Sequence, residues 1–229
     1  MSDYYTLITA LPWLPDLEQC KQMPLSRIAL DQRLTMLTDA DRQQLALVER
    51  LYYPDEKVLR GSTDKEVVQQ WTDQLGQVNS EILRQRILFH LELRTLMAAL
   101  RSRSAGMENS ALFYGVGRWL PRIRKHWFEP GFGLEEVCPQ LQPLQRVLAK
   151  EDALLVEQTL NQWLWQDLAF CEKQHGFNFA ALACFVLRWT IAERHLNYDA
   201  EAALTEFNRA NMQLLEMTGL EQQLAQGEV

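Results

Sequence analysis

The stretch VNSEILRQRILFHLELRTLMAALRSRSAG, Val78 to Gly106, decides how the rest of this chain is read. It holds no proline and no internal glycine, and Asn79 or Ser80 offers a capping oxygen at its start. Arg101 and Arg103 fall in its last turn and Gly106 just beyond, as helix C-termini prefer. Ten of the fourteen residues from Ile87 to Leu100 are apolar, and on a helical wheel they surround the axis instead of marking one stripe. A helix that is apolar all round belongs inside a bundle. His90, Glu92, Arg94 and Thr95 sit within that run. A buried carboxylate is costly unless paired, so Glu92 is expected to have a dedicated cationic or hydrogen-bonding partner elsewhere.

Outward from this helix the pattern stays helical. Ser26 to Met36 reads as a helix, and Thr38 with Asp41 resembles a capping box that opens another through about Leu51. Thr63 with Glu66 repeats the signature before a helix that stops near Gly76. Upstream, Tyr4 to Ile8 is a short β-prone run, and Pro12 and Pro15 keep it from extending as a helix. After Gly106 the pattern breaks. Gly115, Gly117, Pro121, Pro130, Gly131 and Gly133 punctuate short pieces joined by turns. Helical periodicity returns from Leu141 to Ala149, then from Asp152 to Gln174 with Gly176 as its stop. Asn178 caps a helix over Phe179 to Leu196, and Asp199 caps a last one ending at Gly219, before a polar tail. The expectation is an all-α bundle of about nine helices in two lobes. Residues 1–106 form the N-terminal lobe, 107–139 an irregular connection and 140–229 the C-terminal lobe, unless all three make one continuous domain.

Composition agrees with a helical globular protein: 229 residues, 47% hydrophobic, with only ten glycines. The net charge of −7 argues against general binding to nucleic acid, which needs an excess of Lys and Arg. No basic start leads into an apolar block, and no apolar run reaches the ~18–20 residues that span a bilayer. Cys20, Cys138, Cys171 and Cys184 are widely spaced without a CxxC, as expected of reduced thiols in the cytoplasm.

The charge is unevenly spread. From Arg94 through His126 there are seven Arg or Lys and one acid, Glu108, a net of +6 that leaves about −13 for the remainder. Trp119, Trp127 and Phe128 interleave the basic residues. Arg118, Trp119, Arg122, Arg124, Lys125 and Trp127 are therefore the candidate docking residues for an acidic partner or anionic head groups. The bland reading of the same stretch is a solvated basic face with its tryptophans packed inward.

Two stretches echo each other: LELRTLMAALRSR (Leu91 to Arg103) and LRWTIAERHLNYD (Leu187 to Asp199), each with a Glu in an apolar helix and Arg nearby. Glu92 and Glu193 could serve as an acid–base pair, but their apolar flanks favour buried structural charges. Arg94, Arg188 and Arg194 are the candidate partners. Glu172 and His175 have the Glu-x-x-His spacing of di-iron bundles, yet no second such pair occurs. Gly115-Val116-Gly117 lacks the third glycine and the preceding strand of a nucleotide loop. Trp163 and Trp165 read as core residues beside Leu160, Leu164 and Leu168. No metal site and no cofactor is expected. A helical metal-binding enzyme using Glu and His between the core helices is the alternative.

Glu92, Thr95, Leu96, Leu100, Arg101, Arg103 and Gly106 resemble the acidic–x–x–Asn–apolar … Arg–x–basic–x–x–Gly helix signature of the central-stalk C (or d) subunit of V/A-type rotary ATPases, with Thr95 in place of Asn. Ala183 to His195 is similar to that subunit's second such helix. A closer likeness is to a short, uncharacterised bacterial family usually encoded with V/A-type ATPase subunits. It shares a Tyr-Tyr–apolar–Leu-Pro opening (Tyr4, Tyr5, Leu11, Pro12), a Gly-Arg-Trp-Leu element (Gly117 to Leu120) and a Leu-Arg-Trp–x–Ile–x–Glu-Arg element (Leu187 to Arg194). The resemblance implies a non-catalytic accessory or central-stalk subunit, an adaptor between the rotor shaft and the membrane ring. It also implies a cytoplasmic location peripheral to the inner membrane, reached through those partners.

Overall fold

A computed structural model describes residues 2–54 and 61–197, and among these the chain is helical with no strand. The elements in order are α1 (Ser2–Thr9), a 3-10 turn (Leu17–Gln19), α2 (Arg27–Leu34), α3 (Asp39–Tyr52), α4 (Asp64–Gly76) and α5 (Glu81–Ser104). A second 3-10 turn (Ser110–Leu112), α6 (Leu120–Lys125), α7 (Leu141–Leu148), α8 (Ala153–His175) and a helix over 179–197, α9, complete it. The helix expected from Asp199 to Gly219 and the tail after it lie outside the described residues.

The local signals explain the boundaries. Ser80 Oγ accepts from the Leu83 N–H at the start of α5, and Gly106 follows its end at φ +85. Thr38 accepts from the Asp41 N–H, and Thr63 and Glu66 form a reciprocal capping box. Asp152 caps α8 through the Leu155 N–H, and Asn178 caps α9 through the Ala181 N–H. Between them Gly176 turns the chain at φ +59.

Packing settles what local signals do not. Tyr4 to Ile8 is helical, against its β propensity, because α1 has something to pack on. The Tyr5 ring lies 4.8 Å from Phe177 and the Tyr4 ring 6.5 Å from Phe179, while Leu7 is buried. Tertiary contacts override an intrinsic preference worth about 1 kcal/mol across its whole scale.

Helix α5 touches α3, α4, α6, α7 and α8, which makes it the axis of the bundle. Helix α9 is enclosed even more thoroughly, with every residue from Ala180 to Trp189 buried. The Trp189 indole N–H donates to the Leu25 carbonyl at 2.9 Å and ties α9 to the loop before α2. Although irregular in backbone, 107–139 contributes Phe113, Trp119, Ile123, Trp127, Phe132 and Leu134 to the same buried cluster as α5 and α9. All four cysteines are free and buried.

Candidate functional site

Glu92 and Thr95 lie three apart on α5 and so share a face. Across that face runs Tyr114-Gly115-Val116-Gly117-Arg118, a loop without a ladder or helix to satisfy its backbone. Thr95 Oγ1 accepts the Val116 N–H at 2.9 Å, and Glu92 Oε1 accepts the Arg118 N–H at 2.8 Å. Glu92 Oε2 sits 3.3 Å from Arg118 Nε. The two glycines permit this approach. A Cβ on Gly115 would stand 2.3 Å from Thr95 Cγ2, and one on Gly117 would stand 2.2 Å from Glu92 Cγ. Gly117 also has φ +100, a region that side chains disfavour. The Gly-x-Gly pair is therefore a close-contact device that latches a loop onto α5.

The latch corrects the expected pairing. Glu92 is buried, but its cationic partner is Arg118, not Arg94, Arg188 or Arg194. The pair straddles the surface: the Glu92 side chain is 2% exposed and that of Arg118 71%. Arg188 is a buried structural charge whose partner is Glu172, at 2.7 Å, with its guanidinium 4.2 Å from the Trp165 ring centre. That contact engages the glutamate of the Glu-x-x-His pair. Glu193, expected to be buried, is half-exposed and turned toward α2; burial raises its pKa and Arg27 opposes the rise. Arg94 is half-buried over the Trp71 ring, and burial, reinforced by nearby Arg194, pulls its pKa below the ordinary arginine value.

The basic segment divides by helical face. Trp119, Ile123 and Trp127 recur every fourth residue and are all buried. Trp119 and Trp127 thus leave the docking set, because the short helix α6 needs them to cover the core. The Trp127 indole N–H donates to the Met107 carbonyl at 2.7 Å. Arg124 also turns inward. Its Nε and Nη2 donate to the Phe113 carbonyl at 3.0 and 2.6 Å. Arg118, Arg122 and Lys125 remain exposed, joined by Phe128, which is 79% exposed. Sequence reasoning grouped Phe128 with its tryptophan neighbours and did not single it out as the ring that faces water. The spacing of four was the signal that separates them.

Beside the latch, an open depression of about 520 Å³ is lined by Arg86, Asp167, Glu92 and Arg118 among others. Arg86 and Asp167 form an ion pair there. Burial raises the Asp167 pKa and Arg86 opposes the shift. Among the described residues, no three His, Cys, Asp or Glu side chains gather as a metal site, and no helix is long and apolar enough to cross a membrane.

No curated protein and no solved structure matches the chain. One family model does, that of a protein of unknown function, DUF2764, over residues 54–216. That span takes in α4, α5, the latched loop, α6 and α9. The chain belongs to the DUF2764 family.

Proposed function

We propose that this chain is a non-catalytic accessory or stalk subunit of a bacterial V/A-type ATPase, an adaptor between the rotor shaft and the membrane ring. The observation that carries the reading is the latch. The polar pair of the helix signature, Glu92 and Thr95, is spent on holding Gly115 to Arg118 against α5. This presents Arg118, Arg122, Lys125 and Phe128 as a fixed basic flank on a chain of net charge −7. A rigid flank of one sign suits docking onto an acidic partner surface and transmitting force through it, with no bond chemistry. The likeness of α5 and α9 to the C/d helices, and of the Gly-Arg-Trp-Leu element to the family encoded beside such ATPases, supports an ATPase subunit as the partner. By that likeness the protein works on the cytoplasmic side of the inner membrane, held there by the complex.

The test is recovery of ATPase subunits with the tagged chain from native membranes. Arg122→Glu with Lys125→Glu reverses two exposed charges that the fold does not use. Arg118 and Arg124 are left intact because Arg118 pairs with Glu92 and Arg124 holds the Phe113 carbonyl. Recovery is expected to fall at least about tenfold, equivalent to about 1.4 kcal/mol, with an unchanged melting temperature. Folded wild-type protein that recovers no ATPase subunit would refute the reading.

A further inference from the structure

On the face of α5 away from the latch, α3, α8 and α9 border an open cavity of about 320 Å³. Among the described residues its lining includes Arg94, Arg101 and Arg194 and one carboxylate, Glu157. Arg194 lies 4.0 Å from Glu157 and over the Tyr53 ring. Arg94 has no carboxylate partner among the described residues; its guanidinium rests 5.2 Å from the Trp71 ring centre. Partly buried guanidinium groups ordinarily find an anion, because the cost of desolvation otherwise stands unanswered.

A second observation points the same way. Tyr52 and His90 form the inner end of this cavity, with rings 4.2 Å apart. Among the described residues, the buried His90 Nδ1 has no hydrogen-bond partner. A buried polar atom of this kind calls for a partner, and a water or a ligand in the cavity would supply it. Burial pulls the His90 pKa down to about 3, so at neutral pH the imidazole is uncharged and adds no cation to the cavity. Asn161, also buried, contributes a further amide, and leucine, valine and methionine side chains of α5 and α8 supply apolar wall.

We infer that this cavity is a binding site for a small organic anion, a phosphate or carboxylate head on an apolar body. Arg94 grips the head. His90 and Asn161 hydrogen-bond to it or to a neighbouring polar group, and the aliphatic wall takes the body. The inference is independent of the docking flank, which lies elsewhere on α6.

Calorimetric titration of the full chain at low salt with phenyl phosphate, benzoate and benzyl alcohol tests it, with Trp71 fluorescence as a second readout. One of the two anions is expected to saturate with Kd below about 1 mM, and the neutral alcohol to bind at least about tenfold more weakly. The tighter anion identifies the head group. Arg94→Gln is expected to weaken the anion at least about tenfold, and Arg94→Lys to restore part of the loss. Without ligand, Arg94→Gln is expected to keep or raise the melting temperature, since it removes an unmatched charge. A structural arginine would instead lower it. The inference is overturned if neither anion saturates by about 10 mM, if benzyl alcohol binds as tightly, or if folded Arg94→Gln binds the anion unchanged.

Discussion

Gly117→Ala isolates the latch. Two costs add at this position. The backbone sits at φ +100, where a side chain costs about 1–3 kcal/mol. The new Cβ would also stand 2.2 Å from Glu92 Cγ and 2.7 Å from Oε1, so the loop must retreat from α5. Retreat breaks the 2.8 Å hydrogen bond from the Arg118 N–H and leaves a carboxylate that is 2% exposed without its donor. Bonds to a charged group are worth about 1.5–3 kcal/mol. The sum is about 2.5–6 kcal/mol, a large share of the ~5–15 kcal/mol that holds a domain together. Gly106→Ala provides the control: φ is similar, +85, but a Cβ there meets nothing within 4 Å, so only the backbone cost of about 1–2 kcal/mol applies. Urea unfolding followed by tryptophan fluorescence measures both. In a Glu92→Ala background Gly117→Ala is expected to cost no more than Gly106→Ala, because its obstacle is gone. If the two alanines differ by less than about 1 kcal/mol in the otherwise native chain, the close contact does not carry the loop, and the account of the glycine pair is wrong.

Thr95→Val keeps the shape but deprives the buried Val116 N–H of its acceptor, so a loss of about 1–3 kcal/mol is expected in urea unfolding, with Thr95→Ser nearly neutral. Arg124→Ala, which frees the Phe113 carbonyl, is expected to cost about 1–2 kcal/mol, whereas Arg122→Ala on the exposed face stays within about 0.5 kcal/mol; equal values would mean Arg124 is not a strut. His90 links stability to pH, since its pKa is about 3 folded against 6.5 for a free imidazole. Between those values the unfolded chain binds a proton that the folded chain refuses. This contribution is complete above the free value and declines as pH falls, by about 2 kcal/mol from pH 7 to 5. His90→Phe is expected to flatten that part of the stability profile, and an unchanged slope would show that His90 is not buried as described.

Helix positions were legible where the signal is local. Ser80, Thr63 and Asn178 cap the helices they were expected to cap, Asp152, read as the first residue of α8, caps it, and Gly106 and Gly176 follow the ends of α5 and α8. Each of these choices is settled within four residues of chain. Pairing was not legible, because it depends on which segments meet. Glu92 is answered by Arg118, twenty-six residues on, and neither hydropathy nor charge near Glu92 points there. The purpose of Gly115 and Gly117 was hidden for the same reason, since a required close approach is visible only with both surfaces in place. The burial of Trp119 and Trp127 is a different case. Their fourfold spacing with Ile123 stood in the sequence, but the surrounding glycines and prolines obscure a helix of six residues.

The bond from the Trp189 indole to the Leu25 carbonyl closes the chain over a sequence distance of 164 residues. On a ribosome adding about 5–20 residues per second, roughly 10–30 s pass between the synthesis of its two ends. Until then α1 lacks the Phe177 and Phe179 rings against which its tyrosines rest. The helix α1 and the loop before α2 therefore wait for α9, the last described helix, to emerge, while α3 can already pack on α4 and α5. A nascent chain stalled before that point offers its beginning to holdases and proteases.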